Sequence, residues 1–155
     1  MYLALLRSAS RNRADIFELR TVPGLDCTAL AREGYELREA LTPIVRLDRP
    51  LEEVWAGINS KTRNMVRRAQ RSGLTIDVGS VSDLAAYYDM WCAIITREHQ
   101  MPLTLGQYLH AMTALLDANL ATFLVAHKDG EVAAGAVFLV FGKRAYYWSG
   151  ASRPE

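Results

Sequence analysis

The stretch "ATFLVAHKDGEVAAGAVFLVFGKRAYYWSGAS", residues 121–152, consists of apolar runs separated by two short polar breaks, "KDG" and "GKR". Asp129 and Gly130 both adopt positive φ readily, so this pair between apolar runs predicts a β-hairpin. The whole stretch predicts three consecutive strands in an antiparallel meander. Its middle run, "VAAGAVFLVF", is apolar on both faces and is therefore predicted to be the central strand.

The segments before this meander are mostly helical in pattern. "VSDLAAYYDMWCAIITREHQ" (81–100) has Ser82 as its predicted cap, and Thr104 is the predicted cap of "LGQYLHAMTALLD" (105–117). "LTIDVGS" (74–80) alternates as a strand. Three aromatic residues at helical spacing are predicted to pack in the core: Tyr87, Tyr88 and Trp91. The predicted fold class is therefore mixed α/β, with helices packed against an antiparallel meander.

The first fifty residues are predicted to contain only short elements. In chain order these are a helix from Tyr2 to Ser10, a strand in "ADIFELRT" (14–21), a turn at "VPG" (22–24), a short helix ended by Gly34, and an extended segment over 35–48. A further helix is predicted to start in "DRPLEEVW", where Asp48 can cap and Pro50 suits the first turn.

Composition limits the class of protein. The chain has 155 residues, half of them apolar, with 18 basic and 17 acidic residues and a formal net charge of +1. That balance argues against a dedicated nucleic-acid-binding domain, which is basic as a whole. Cys27 and Cys92 lack a CxxC spacing and are predicted to be reduced thiols of a cytoplasmic protein, with no disulfide and no metal site. No apolar run approaches the ~20 residues that span a bilayer, so no transmembrane segment is predicted.

The positive charge is concentrated in "KTRNMVRRAQRSG", residues 61–73, which holds five basic residues and no acid. On a helical wheel from Ile58 to Gly73, one face is apolar and is predicted to be buried; it carries Ile58, Thr62, Met65, Val66 and Ala69. Arg63, Arg67 and Arg71 follow one another at i,i+4 on the opposite face. Lys61 and Arg68 lie near the edge of the apolar stripe.

Two interpretations of this cluster stay open. It is either a solvated helix surface or a set of phosphate contacts, since guanidinium groups match the geometry of phosphate oxygens. Like charges at i,i+4 repel unless an anion neutralises them, which favours the second interpretation. The residues predicted to contact phosphate are Lys61, Arg63, Arg67 and Arg68, with Lys61 and Arg68 placed first because of their edge positions.

The segment "KTRNMVRRAQRSGLTIDV" has the form K-x-R-x-x-V-R-x-A-x-x-x-G followed by a strand. Together with the two helices and the meander ending in Y-x-x-G-A-S, it resembles FemAB-type aminoacyltransferases and related acyltransferase domains of the GNAT superfamily. The resemblance covers about Leu51 to Ser152. It implies a GNAT-like lobe, typically one of two in a chain.

The resemblance also carries a prediction about domains. In a GNAT core the strand after this hairpin is followed by a helix and at least one more strand. We therefore expect residues 51–155 to form an incomplete GNAT- or FemAB-like acyltransferase domain, truncated at its C-terminus. Residues 1–50 are expected to be the tail of a preceding GNAT-like lobe.

The function implied by the resemblance is N-acyl transfer. The donor would be aminoacyl-tRNA and the acceptor an amine in the peptide of a cell-wall precursor. One alternative keeps the fold and uses acyl-CoA to acylate a small amine. Another is a non-catalytic module that binds RNA or another polyanion through the basic helix. No tightly bound cofactor and no metal are expected.

Acyl transfer to an amine needs a deprotonated amine, N–H donors for the oxyanion, and alignment, but no enzyme nucleophile. The sequence therefore nominates no catalytic residue. Weak candidates for a base are better explained as surface or packing residues: His99, His110, Glu98 and Asp89, together with His127, which is predicted to face solvent. By resemblance, the acceptor or donor groove is assigned to Tyr147, Gly150 and Ser152. Alternation puts Tyr147 on one face of its strand and Tyr146 with Trp148 on the other, and core packing of these aromatics is the alternative.

Overall fold

A computed structural model describes Thr21 and residues 24–153. The predicted helix from Tyr2 to Ser10, nearly all of the strand in "ADIFELRT" and most of the turn at "VPG" lie outside the described residues. The chain divides into two units at the Pro50–Leu51 bond, and each is described by itself. The assignment of residues 1–50 to a preceding lobe stays a prediction.

The first unit contains one short helix among its described residues, α1, at Thr28–Arg32. The Asp26 carboxylate accepts hydrogen bonds from the N–H of Thr28, at 2.9 Å, and from its hydroxyl. Gly34, with φ +88°, follows the helix as predicted. Residues 35–50 form no helix or strand.

The second unit contains four helices and four strands among its described residues. In chain order they are α2 (Leu51–Gly57), α3 (Ser60–Gln70), β1 (Thr75–Val78), α4 (Val81–Arg97), α5 (Leu105–Asp117), β2 (Ala121–Lys128), β3 (Glu131–Phe141) and β4 (Arg144–Ser152).

The strands form one antiparallel sheet in the order β1-β2-β3-β4. The β2–β3 turn consists of Asp129 and Gly130, whose φ angles of 54° and 81° match the twist of a tight hairpin. Gly142, with φ 59°, begins the β3–β4 turn. The predicted meander, its central strand and the mixed α/β fold class are confirmed. The sheet is extended by β1, which pairs with the outer edge of β2.

One face of this sheet is covered by α4 and α5. The fully buried side chains with the largest volumes are Tyr87, Tyr108, Phe123, Leu84, Met112, Val125 and Val137. The rings of Tyr87 and Phe123 are 5.2 Å apart, and those of Trp91 and Tyr108 are 4.7 Å apart. The predicted core role of Tyr87 and Trp91 is confirmed, and burial of these aromatics accounts for much of the stability of the fold.

The core requires a glycine in the central strand. A Cβ built on Gly135 would lie 2.7 Å from Phe123 Cε2 and 2.7 Å from Tyr87 Cδ2. No real Cβ contact is that short, so the two rings occupy the space that a side chain would need. Gly135 is therefore a packing residue rather than a turn residue.

The cap of α4 differs from the prediction. Ser80, not Ser82, is the N-cap: its extended backbone precedes the helix, and its hydroxyl accepts from the N–H of Asp83. The Asp83 carboxylate accepts in return from the N–H of Ser80, at 2.7 Å, which completes a capping box. Ser82 lies inside the first turn. Thr104 caps α5 as predicted, with Gln107 as its reciprocal partner.

Candidate active site

The basic cluster lies on α3, which is separate from α2. Asn59 interrupts the helical path and caps α3, because its side-chain oxygen accepts from the N–H of Thr62 at 2.8 Å. The helix predicted over 58–73 is therefore shorter at both ends. Asp48, the cap predicted for α2, instead forms an ion pair with Arg46 at 2.5 Å.

The predicted burial of the apolar face of α3 is wrong. No residue of this helix is buried; Met65 is 63% exposed and Val66 37%. Among the described residues only α4 and α5 supply helical side chains to the buried core. Amphipathic spacing shows which residues share a face of the helix, but it does not show whether another surface exists for that face to cover.

Two of the predicted phosphate contacts, Arg63 and Arg67, bind within the protein. The Arg63 guanidinium donates to the carbonyl of Ala56, at 3.0 Å, and to that of Ile58. These carbonyls lie at the C-terminal end of α2, where backbone acceptors lack helical partners. The Arg67 guanidinium lies over the ring of Trp55, 5.7 Å from its centroid. Both arginines thus connect α2 to α3.

Lys61 and Arg68, the two residues placed first by the wheel, lie together beside a shallow depression on α3. Its volume is about 450 Å³, and it is also lined by Ser60, Asn64 and Met65. Two cations therefore flank an exposed thioether on one helix surface. Phosphate binding by these residues stays a prediction.

A second concave surface lies between α4 and the ends of β3 and β4, and we call it the β4 groove. Its volume is about 630 Å³, within the range of small-molecule sites. It is lined by Met90, Ala93, Ile94 and Arg97 of α4, Gly135 and Ala136 of β3, and Tyr147, Gly150, Ala151, Ser152 and Arg153 at the end of β4. All three residues predicted for the acceptor or donor groove line it.

A β-bulge in β4 determines which side chains share a face. Val137 pairs with Ser149 and Phe138 with Tyr147, so Trp148 is an extra residue without a partner in β3. The predicted alternation stops at this residue. A Cβ on Gly150 would collide with the Tyr147 hydroxyl, which shows that the two residues lie on the same face. Without the bulge, positions three apart would face opposite sides.

The aromatic residues of β4 are not core residues. Tyr147 is 66% exposed, Trp148 44% and Tyr146 36%. The Tyr147 ring contacts Phe138 at 5.8 Å between centroids, and its hydroxyl lies over Gly150. The tyrosine therefore presents an O–H group at the wall of the β4 groove.

The outer edge of β4 also presents main-chain groups. The N–H of Arg153 donates to the carbonyl of Ala133 in β3, at 2.9 Å. Because antiparallel bonding alternates along a strand, the N–H groups of Gly150 and Ser152 point away from β3. β4 is the outermost strand of the described sheet, so these donors have no strand partner among the described residues, and both residues line the β4 groove. Backbone N–H groups with fixed direction are the usual donors to a developing oxyanion.

The histidines divide into two kinds. His99 is exposed just after α4, with φ 58°, and His110 is exposed on α5, so neither has the surroundings of a base. His127 was predicted to face solvent, and this is wrong. Its Nε2 lies 3.3 Å from Asp83 Oδ1 and its Nδ1 lies 3.8 Å from Asp77 Oδ2, with only 24% of the side chain exposed. The alternation of β2 could have placed His127 on the face of Phe123 and Val125.

The electrostatic effects in the core are structural. Hydrogen bonds from Ser80, and then contact with His127, lower the pKa of Asp83. Burial raises the pKa of Tyr87, whose hydroxyl lies 3.4 Å from Ser149 Oγ. The Tyr108 hydroxyl is buried without a hydrogen-bond partner among the residues that the structure describes, and burial raises its pKa too. None of these groups lines the β4 groove.

No helix in the described part of the chain is both long and apolar enough to cross a membrane. No curated protein sequence matches the chain. A solved structure of a predicted acetyltransferase from Clostridium acetobutylicum, determined with acetyl-CoA, is similar over 52% of this chain and 60% of that one, with 14% identity and a TM-score of 0.43. The chain thus spans less than two thirds of that protein.

A family model decides the relationship. The model of the acetyltransferase (GNAT) domain matches residues 60–155, which include α3, the whole sheet and every residue of the β4 groove. The match covers more than half of the 155 residues. On this evidence the chain belongs to the GNAT acetyltransferase domain family.

Proposed function

We propose that this protein is an N-acyltransferase and that the acyl group is transferred in the β4 groove, beside the outer edge of β4 in the described sheet. One observation carries the proposal: the β4 groove, with outward N–H groups at Gly150 and Ser152, lies entirely within the GNAT acetyltransferase match. No nucleophilic side chain is needed for this chemistry, in keeping with a groove that contains no cysteine or histidine.

The proposed step is direct attack of an amine on an activated acyl group. The amine nitrogen forms a bond to the carbonyl carbon, the carbonyl oxygen becomes an oxyanion, and the carbon–sulfur or carbon–oxygen bond to the donor then breaks. In this proposal the N–H groups of Gly150 and Ser152 stabilise that oxyanion. The proton lost by the amine passes to solvent, and in this proposal the leaving group takes a proton from the Tyr147 hydroxyl, which lies over Gly150.

The proposal has two forms, which differ in the acyl donor. In the first, which the family match favours, the donor is an acyl thioester. A second form, transfer from aminoacyl-tRNA to the peptide of a cell-wall precursor as in FemAB-type enzymes, is supported by Lys61 and Arg68. These cations flank the exposed depression on α3 and form no ion pair among the described residues. They would contact phosphates of either donor or of a diphosphate-linked acceptor. A cytoplasmic location belongs to the same proposal.

The experiment supplies both donors to the purified 155-residue chain. One arm follows thiol release from acetyl-CoA with a panel of amines, and the other follows labelled amino acid passing from charged tRNA to a cell-wall peptide. Thiol release that depends on the amine supports the first form; label transfer supports the second. RNA binding with a steep salt dependence and no transfer from either donor would instead favour a binding module.

A matched pair of glycine variants tests the site. In Gly150→Ala the new Cβ displaces the Tyr147 hydroxyl and crowds the outward N–H, so we expect kcat/KM to fall about ten-fold or more. Gly106→Ala adds the same atom on α5, where nothing lies within 4 Å, and should leave the rate unchanged. Equal rates in both variants would contradict transfer at this edge.

A further inference from the structure

We propose that Arg97 is the anion-recognition residue of the β4 groove, and that the amine acceptor carries a carboxylate close to its amino group, as a free amino acid does. This inference rests on the proposed function and names the substrate class of that site.

Apart from its two arginines, the groove is lined by uncharged residues, with side-chain hydroxyl groups only at Tyr147 and Ser152. Met90, Ala93 and Ile94 form the wall on α4, and Arg97 continues that wall into the last turn of the helix. No aspartate or glutamate lines the groove. An uncharged ligand that covered the guanidinium would remove water from a cation without replacing it, which is unfavourable.

The two arginines of the groove differ in their partners. The Arg153 guanidinium forms an ion pair with Glu131, so its charge is already balanced. Arg97 forms no ion pair or side-chain hydrogen bond with any residue that the structure describes. A guanidinium presents two parallel N–H groups to a carboxylate, and that geometry suits an anion supplied by the ligand.

The position of Arg97 favours the acceptor over the donor as the source of this anion. Arg97 and Gly150 line the same groove of about 630 Å³, so an anion at Arg97 and the reacting carbonyl both lie within that one groove. In an amino acid, one carbon separates the amine from the carboxylate. In acyl-CoA the whole pantetheine arm separates the thioester from the diphosphate. A short separation therefore fits an amino acid or the end of a short peptide.

The test is a binding titration that does not require turnover. The ¹⁵N-labelled 155-residue chain is titrated with glycine, alanine and leucine and with the amides of the same amino acids. We expect the amide signals of Gly150 and Ser152 to shift saturably with the acids, with at least ten-fold weaker binding of the amides. Arg97→Gln should reduce binding of the acids to the level of the amides. Arg71→Gln, an arginine change at the C-terminal end of α3, is the matched control and should change neither.

A parallel titration with coenzyme A tests the other possible source of the anion, which is the phosphate of the acyl donor. Loss of coenzyme A binding in Arg97→Gln, with no effect on the amino acids, would assign the anion to donor phosphate and overturn the inference. Equal affinity for acids and amides would also overturn it. Transfer assays with the same pairs of amino acids and amides separate the two proposals. Acyl transfer without preference for the acid would support the proposed function and contradict the proposed class of acceptor. Acid-specific binding without transfer would support anion recognition by Arg97 and contradict the proposed function.

Discussion

The helix pair α2–α3 and the α4–α5–sheet core belong to the same structural unit but are held by different forces. The core buries seven large side chains completely, three of them aromatic: Tyr87, Tyr108 and Phe123. The helix pair buries none. Its connections are two arginines, one at the carbonyl end of α2 and one on the ring of Trp55. Apolar burial therefore stabilises the fold, while polar contacts only set the arrangement of the basic helix.

This difference has consequences for local stability. Segments with few buried apolar contacts open at low free energy, whereas core strands open only with global unfolding. We expect α3 to be the least protected helix of the second unit and β3, which has strands on both sides, to be the most protected strand. The following variants test the comparison, from the largest expected effect to the smallest.

Phe123→Ala should have the largest effect. The side chain is fully buried and contacts Tyr87, so its loss leaves a cavity and should reduce the free energy of unfolding by about 3–5 kcal/mol. Met65→Ala on α3 should reduce it by less than about 0.5 kcal/mol, since that side chain is 63% exposed. Urea unfolding followed by circular dichroism gives both values. Similar losses would show that the apolar face of α3 is covered in solution.

Gly135→Ala tests the same core by adding atoms. The new Cβ would meet the rings of Phe123 and Tyr87 at 2.7 Å, so we expect a loss of about 1–3 kcal/mol. Gly106→Ala is the control, because its Cβ enters open space and alanine is the better helix former. Thermal unfolding of the two variants should move in opposite directions, and a neutral Gly135→Ala would mean that the rings repack freely.

Asp83→Asn tests the cap that starts α4. The pKa of Asp83 is lowered by hydrogen bonds from Ser80, so the folded state holds the carboxylate ionised more strongly than the unfolded state does. This contribution is present above the unfolded pKa of about 4 and is lost as the pH falls through the lower folded pKa. We expect Asp83→Asn to lose about 1 kcal/mol at pH 7 and to flatten the acid limb of the stability curve.

The control for this cap is Asp89→Asn, which changes an exposed carboxylate on the same helix. It should leave both the stability at pH 7 and the acid limb nearly unchanged. If the two variants give the same pH profile, the capping box does not contribute to the acid sensitivity of the protein.

Arg67→Gln should have the smallest effect. It removes the cation from the ring of Trp55, worth about 0.5–1 kcal/mol at an exposed site. The loss should be local: the Trp55 indole N–H signal shifts and amide exchange within α2 and α3 becomes faster, while exchange in β3 does not change. Arg71→Gln is the control. Faster exchange in β3 would show that the helix pair supports the core.

The sequence predicted the sheet well because its signals are local. The pair Asp129-Gly130 readily adopts positive φ in a turn between two strands, and an apolar run of this length is favoured as a central strand. The sequence signal for Thr104 as the cap of α5 was equally local. Ser80 was missed in favour of Ser82 because both are followed by helical residues, and only the backbone angles distinguish the residue before the helix.

The candidate site was predicted less completely, because its features depend on distant partners. Nothing in residues 58–73 shows that the apolar face of α3 stays exposed. The contact between His127 and Asp83 joins residues 44 positions apart. The family resemblance supplied Tyr147, Gly150 and Ser152, but Arg97 was not singled out, since an arginine in the last turn of a helix is explained by the helix dipole alone.

The bulge at Trp148 makes the groove sensitive to residue count rather than to residue type. Tyr147 and Gly150 are three positions apart in the chain, which in a regular strand would put them on opposite sides. They share a side of the sheet only because Trp148 between them has no partner in β3. Deleting Trp148 or Ser149 would remove the bulge and leave the two residues two positions apart, still on one side, whereas inserting one residue between them would send the hydroxyl to the opposite surface. In this strand, a frame-preserving gain of one codon would alter the site more than most substitutions could.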